Sequence, residues 1–468
     1  MKAWLLKGGH SMAFNPAVFK AYDIRGRYPD DIDEDFAYKL GFAYADLRQK
    51  EENKDHLTVL VSRDMRLSSP SLHQSLIAGL IDSGVDVIDI GLASTPTMYF
   101  AAAFYQCDGG IQVSASHNPK DDNGFKIVRT RSVPVSEDTG MYQLRDLCAT
   151  ITPQKSAQPG KLTHKEGVLD DLYQSELAET NVDPSIIKPF KIVIDAGNSM
   201  GALDTAKIFE KLPCTLIKLN FDLDGSFPAH QPDPLVDANL QPTIDKVIAE
   251  HADLGIVPDG DGDRYFFVDD QGQIIRQEIL RGIMAQIALK EKPGSTVAYD
   301  IRPGKITLDM ILEAKGKPLV TRVGHSLIKE SMIKNDAVFG GESSGHYFYK
   351  FSYGTFEAPF VFVLKFLQYV SAQNKPVSEI IKPLKKYFHS GEINSIVADK
   401  VGKIAELTAK YQDAKNISTL DGVTIEYNNF WFNVRPSNTE NKLRLNLEAV
   451  DQPTMEAKRD EVLNLIRS

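Results

Sequence analysis

The sequence predicts an α/β protein: three similar α/β domains followed by a smaller α+β domain. Three observations carry that reading. The chain has 468 residues, too many for one hydrophobic core, and about 100–200 residues per domain gives three or four domains. A β-rich strand, a polar loop with Gly or Pro and a helical stretch recur in that order, the mark of α/β layers with functional loops at the carboxyl ends of strands. From about residue 388 the pattern changes, and residues 422–425 and 431–434 alternate like the strands of a smaller α+β unit.

In chain order, residues 56–61 read as a strand leading into Ser62, Arg63 and Asp64, then a helix over about 70–83. A short strand at 110–113 delivers the loop that begins at Ser114. The next strand, 190–194, leads into Asp195, Ala196, Gly197 and Asn198 and a helix from about Ala202. Apolar runs at 252–257 and 265–268 flank an acidic loop, and Asp269, Asp270, Gln271 and Gly272 turn a hairpin. Residues 295–299 form the third such strand, before Asp300 to Gly304 and a helix from about Ile306. The stretch 151–161, rich in Pro, Gln, Ser and Gly, reads as a linker. These signals divide the chain into 13–160, 161–270, 271–387 and 388–468.

Composition narrows the class. Hydrophobic content of 42% and charged content of 25% are those of an ordinary soluble globular protein. A net charge of −10 disfavours a general nucleic-acid binder, so any anion site is local. Cys107, Cys148 and Cys214 have no C-x-x-C spacing, which fits a reducing cytoplasm and no zinc site. No segment approaches the ~18 apolar residues of a membrane span, and the apolar run at 3–6 is too short for a signal peptide. The expectation is a cytoplasmic protein with no membrane or nucleic-acid partner, monomeric or homodimeric.

The strongest chemical signal is Asp259, Gly260, Asp261, Gly262, Asp263 and Arg264. Three carboxylates this close repel unless a cation neutralises them, and hard divalent ions take such oxygen ligands. An EF-hand fails on detail: the sixth position holds Arg264 instead of Gly, the twelfth Asp270 instead of Glu, and strands flank the loop. A second constellation runs Ser114, Ala115, Ser116, His117, Asn118 and Pro119, with Lys126 beyond it on the same turn-rich segment. Beside a divalent ion, Ser116 has what phosphoryl transfer through a phosphoserine needs.

Two further clusters suit a sugar phosphate. Gly341, Glu342, Ser343, Ser344, Gly345 and His346 alternate acceptor, hydroxyl and imidazole, with a polar hairpin as the plain reading. Gly324 and His325 open a helix, where capping is an equal reading. Arg435, Ser437, Asn438 and Thr439 follow a strand and could cup a dianion; Glu440 leaves a capping box as the alternative. Tyr22 and Arg25 lie near the start, and alone mean little.

In this order the elements resemble the α-D-phosphohexomutase family, closest to its bacterial phosphomannomutase/phosphoglucomutase group. The resemblance runs from about Phe14 to the C-terminus on four motifs: S-A-S-H-N-P at 114–119, D-G-D-G-D-R at 259–264, G-E-S-S-G-H at 341–346 and R-P-S-N-T-E at 435–440. It implies three similar mixed-sheet domains and a smaller fourth around a central cleft: phosphoserine, metal-binding, sugar-recognition and phosphate-binding in turn. It also implies phosphoryl transfer between C1 and C6 of a mannose or glucose phosphate, with Mg²⁺ and a hexose 1,6-bisphosphate intermediate. Ser116 would carry the phosphoryl group and bind the metal with Asp259, Asp261 and Asp263. Arg25, His117, Lys126 and Arg264 would surround it, with Lys126 the candidate for proton transfer. Tyr22, Arg302, Gly324, His325, Glu342, Ser344 and His346 would contact the sugar phosphate, and Arg435, Ser437, Asn438 and Thr439 its other phosphate. Arg302 stands where relatives often carry Lys, Ser343 where Met is common, and Asn441 where Pro is common. A phosphoglucosamine mutase and a metal-dependent sugar phosphatase are the alternatives.

Overall fold

The computed structural model describes residues 15–302, 304–437 and 441–468. Its first three units repeat one βαβαββ plan. In the first, Thr58–Arg63 lies between Asp86–Leu92 and Gly109–Val113, both parallel to it, and Asp122–Arg129 returns antiparallel to Gly109–Val113. Lys191–Asp195, Thr215–Leu219, Leu254–Pro258 and Tyr265–Asp269 repeat the arrangement. So do Thr296–Asp300, Lys317–Thr321, Phe339–Gly341 and Tyr347–Lys350.

Parallel neighbours need crossovers, and helices supply them. Ser69–Asp82, Gly201–Phe209 and Lys305–Glu313 follow the first strand of each unit, close to the helices expected from sequence. The first of these buries Leu72, Leu76 and Leu80 on one face at helical spacing and stops before Gly84, whose φ of 95° suits a helix end. Central strands are covered on both faces, which explains unbroken apolar runs such as Val59, Leu60 and Val61, each 0% exposed.

Edge strands extend these sheets past the boundaries that composition gave. Leu162–His164 pairs parallel with Asp86–Leu92, beyond residue 160, and Ile274–Ile275 pairs with Tyr265–Asp269, beyond residue 270. Short edge strands depend on a neighbour, and a linker-like composition does not report them. Ile24–Arg27 adds to Asp122–Arg129 on the other edge of the first sheet.

The last unit is a five-stranded antiparallel sheet that begins at Phe388–Ile396 and carries helices Lys400–Lys410 and Gln452–Arg467. Its core is its own, around Val423, Phe432 and Leu445. The first three units instead share apolar packing. Helix Pro359–Gln373 is buried almost all round, and Phe362 stacks on Tyr347 at 3.8 Å and meets Phe267 at 5.3 Å. Close packing of this kind fixes the loops of one unit against those of another. Among the described residues no helix is long and apolar enough to cross a membrane.

Candidate active site

Three turns at the same place in the repeated plan hold most of the residues that the sequence singles out. Each joins the third strand of its unit to the antiparallel fourth: 114–121, 259–264 and 342–346. The functional loops do lie at strand carboxyl ends, but they lead into hairpin partners and not into helices.

On the first turn, Ser116 is 2% exposed and left-handed, with φ 53°. That conformation costs a non-glycine residue about 1–2 kcal/mol and persists only where neighbours hold it. Ser114 Oγ accepts the Ser116 N–H at 3.0 Å. Ser116 Oγ donates to Asp259 at 3.1 Å, lies 3.0 Å from His117 Nδ1 and 3.4 Å from Arg264 Nη2. Burial and the neighbouring Arg264 and Arg25 push the His117 imidazole far down, so it stays neutral. Arg25 donates to Asp23 and Asn118, each at 2.7 Å, at the end of the same turn.

The second turn brings Asp259, Asp261 and Asp263 together, all buried, with one oxygen of each within 4.8 Å of the others. Gly260 lets it approach: a Cβ there would lie 2.3 Å from the Ser116 carbonyl oxygen. Arg264 donates to Asp259 at 2.8 Å and Lys126 to Asp263 at 2.6 Å, while Lys126 Nζ is also 2.8 Å from Asp261. Thr95 donates its hydroxyl to Asp261 at 2.5 Å and its N–H to the Asp261 carbonyl at 3.0 Å, at the N-terminus of helix Thr95–Phe104. Burial raises all three carboxyls. It prevails at Asp259, which rises to about 7 against Arg264. Lys126 overcomes it at Asp261 and Asp263, with His346 helping at the latter.

These residues fit a hard divalent cation. The donor set is all oxygen, and the buried Asp261 Oδ1 has no hydrogen-bond partner. Lys126 occupies the same carboxylates as a counter-ion. It sits not in a loop, as its sequence neighbours implied, but on strand Asp122–Arg129 opposite Gln112, because the turn closes four residues earlier.

The third turn meets the second directly. His346 pairs with Arg264 as a β-bridge, and its ring nitrogens lie 3.2 Å from Asp263 and 3.0 Å from Glu342. Burial opposes the imidazolium, but Asp263 and Glu342 outweigh it and lift His346 to about 9. Glu342 accepts from the Gly324 N–H at 2.9 Å and from Arg302 at 3.1 Å; Ser344 Oγ is 3.0 Å from His346. Glu342, Ser344 and His346 thus converge through a tight turn, not through strand alternation. Tyr22 sets its ring edge on His325 at 4.8 Å, and His325 stacks on His346 at 5.5 Å. Behind His325 lies a buried Lys329–Glu357 pair at 2.9 Å.

The last unit places its expected residues differently from the sequence reading. Arg435 lies inside strand Phe430–Pro436, not on the following loop, and donates to Glu392 at 2.7 Å. Ser437 is buried, its N–H bonded to the Lys442 carbonyl at 2.9 Å. Asn438 and Thr439 lie outside the described residues. Glu392, which Arg435 holds, also favours the charged form of Arg302 in the third unit.

Sequence reasoning missed Arg66, Thr95 and Asp300 as site residues. Asp300 accepts from Arg302 Nε at 2.5 Å and from the Ser343 N–H and hydroxyl at 3.1 and 2.8 Å. The Ser343 hydroxyl is therefore engaged by Asp300 and Arg281. The available signal was position: Asp64 to Arg66 and Asp300 to Arg302 each follow the first strand of a unit.

Comparison with known proteins accounts for this arrangement. Residues 16–154, 171–272, 278–387 and 392–465 match, in order, the phosphoglucomutase/phosphomannomutase alpha/beta/alpha domains I, II and III and the C-terminal domain. Phosphohexose mutases of Xanthomonas campestris pv. campestris are 38% identical, covering 96% of this chain and 99% of theirs. A phosphomannomutase of Methanocaldococcus jannaschii is 38% identical over 96% of this chain and 97% of its own. A crystal structure of a phosphoglucomutase/phosphomannomutase family protein from Burkholderia thailandensis superposes with a TM-score of 0.87 at 31% identity, over 97% of each chain. With four domains matched in order and relatives aligned over nearly the whole length, the chain belongs to the phosphoglucomutase/phosphomannomutase family.

Proposed function

We propose that this protein interconverts the 1- and 6-phosphates of a hexose, mannose or glucose, through phospho-Ser116 and a hexose 1,6-bisphosphate. The observation that carries the reading is the Ser116 hydroxyl, directed at Asp259 within a buried triad of carboxylates. Asp259, Asp261 and Asp263 would hold Mg²⁺, with an oxygen on Ser116 as a further ligand. Mg²⁺ there would neutralise charge on the transferred group.

The residues of the chain divide the remaining work. Phospho-Ser116 gives its phosphoryl to the free hydroxyl of a hexose monophosphate: the Oγ–P bond breaks and a sugar O–P bond forms. The proton lost by the sugar hydroxyl balances the one that Ser116 Oγ regains beside His117. Lys126, Arg25 and Arg264 place positive charge around the group in flight, and positioning supplies most of the acceleration. Gly324, His325, Glu342, Ser344 and His346 would orient the sugar, while Tyr22 packs on His325. Arg302 and Arg435 would hold the phosphate that does not react, with Ser437, Asn438 and Thr439 beside them. Return of the second phosphate to Ser116 completes the isomerisation after the intermediate reverses its direction. Three unpaired cysteines fit a cytoplasmic setting.

Intact-mass measurement tests this. Incubation with glucose 1,6-bisphosphate is expected to add one phosphoryl group to the protein and none to Ser116→Ala. An enzyme that turns over hexose phosphate without ever carrying phosphate on Ser116 refutes the reading, and inorganic phosphate released in step with turnover points to a phosphatase.

A further inference from the structure

Beneath Ser116 sits a side chain that no motif singled out. Arg66 is fully buried just beyond strand Thr58–Arg63. Its guanidinium gathers four backbone carbonyls of one loop. Nη2 donates to Ser116 at 2.8 Å and Asn118 at 2.7 Å, and Nη1 to Pro119 at 2.7 Å and Asp122 at 2.9 Å. All four Nη hydrogens are therefore used by the loop.

The guanidinium is itself held from both sides. Asp64 Oδ2 lies 3.3 Å from Nε, and Asp64 Oδ1 accepts the Arg66 N–H at 3.0 Å and the Ser69 hydroxyl at 2.6 Å. From the second unit, the Phe227 ring centre lies 5.1 Å from the guanidinium carbon. Gly225 crosses so close that a Cβ on it would lie 2.7 Å from Arg66 Cα.

We propose that Arg66 is the positioning residue of the phosphoryl carrier, holding Ser116 in its left-handed conformation so that Oγ faces Asp259 and Arg264. This rests on the reading that Ser116 carries the phosphoryl group. Four carbonyl dipoles aimed at one point repel one another unless a cation gathers them, and only the planar arginine fork offers enough fixed donors. Lysine, with three donors on a point charge, cannot reproduce it. Without Arg66 the loop relaxes from φ 53° and Oγ moves off the carboxylates. A misplacement of about 1 Å at a reacting atom costs about 10²-fold in rate. Because no Nη donor is left for a ligand, the loss falls on kcat and on single-turnover transfer, and KM stays near its normal value.

The experiment compares Arg66→Lys with wild type in steady-state kinetics and in single-turnover transfer from the phosphoenzyme. Expected are a fall of about 10²-fold in kcat and in transfer rate, a KM for hexose phosphate within about threefold, and a cooperative melt. A kcat within threefold of wild type, or a KM that rises as far as kcat falls, overturns the proposal. If Arg66→Lys does not fold, Asp64→Asn loosens the same anchor and is expected to lower kcat about tenfold at constant KM; unchanged kcat then overturns it. A wild type that never carries phosphate refutes the reading of Ser116, whereas a phosphorylated wild type beside a fully active Arg66→Lys refutes only the role of Arg66.

Discussion

Gly260→Ala isolates the contact between the acidic loop and the serine loop. The Gly260 backbone is not left-handed, so alanine suits its conformation and only the contact changes. The new Cβ would lie 2.3 Å from the Ser116 carbonyl oxygen and 3.0 Å from its carbon. A Cβ is hardly ever found closer than 3.0 Å to another atom, so the loops must part by about 0.7 Å. Both partners are backbone, which cannot swing aside. Overpacking of this kind costs about 1–3 kcal/mol of stability. A shift approaching 1 Å between Ser116 and the carboxylates costs more in rate, roughly 10- to 10²-fold. The assay is coupled hexose-phosphate kinetics beside thermal unfolding. Gly294→Ala is the control: its φ is 74° with open space around it, so it pays backbone strain of about 1 kcal/mol and keeps its kcat. A Gly260→Ala enzyme with kcat within twofold of wild type would refute the claim that the two loops are in register by contact.

Two further perturbations read the electrostatics. His230 lies 3.2 Å from the buried Asp195, and that hydrogen bond raises its pKa against the effect of burial. The bond therefore contributes stability fully below about pH 6.5, the unfolded value, and loses it as pH rises through the folded one. His230→Asn should lower the melting temperature most near pH 5.5, with the gap to wild type closing at alkaline pH; a gap that widens with pH refutes the pairing. Lys126→Met removes the ammonium that Asp261 and Asp263 share. Mg²⁺ binding by calorimetry should tighten about tenfold or more while kcat falls at least 10²-fold, and unchanged or weaker binding would show that Lys126 does not compete with the cation.

Local motifs made much of this molecule legible. The acidic run, the serine loop and the Gly–Glu–Ser–Ser–Gly–His turn each combine turn residues with functional groups over six positions; the first two join strands as expected, and the third turns tightly where alternation is expected. What stayed hidden depends on distance in sequence. Arg66 reaches a loop fifty residues on, and nothing near it marks a basic side chain as a buried clamp rather than a solvated one. Lys126 falls in a turn-rich segment yet lies on a strand, because a hairpin's closing point depends on pairing with Gly109–Val113, which no single segment records. Edge strands at 162–164 and 274–275 were missed for the same reason.

The repeated plan also explains why the chemistry divides as it does. On the proposed reading, equivalent turns of three units would supply the nucleophile, the carboxylates and the sugar-binding groups, and they meet because helix Pro359–Gln373 and its neighbours pack the units into shared apolar contact. Where they meet, acidic and basic side chains interleave: Asp259, Asp261 and Asp263 face Arg264, Lys126 and His346. A divalent cation entering alone would shift the charge of this cluster by two, and so would the dianion of a phosphoserine. Arriving together their charges would offset, so on the proposed reading Mg²⁺ binding is coupled to the phosphorylation of Ser116. Lys126 is the member of the set that both touches the triad and stands on the serine's own sheet. On the proposed reading its replacement would weigh on both partners at once: the cation would gain a vacated pair of carboxylates, while the phosphoryl group would lose a positive neighbour.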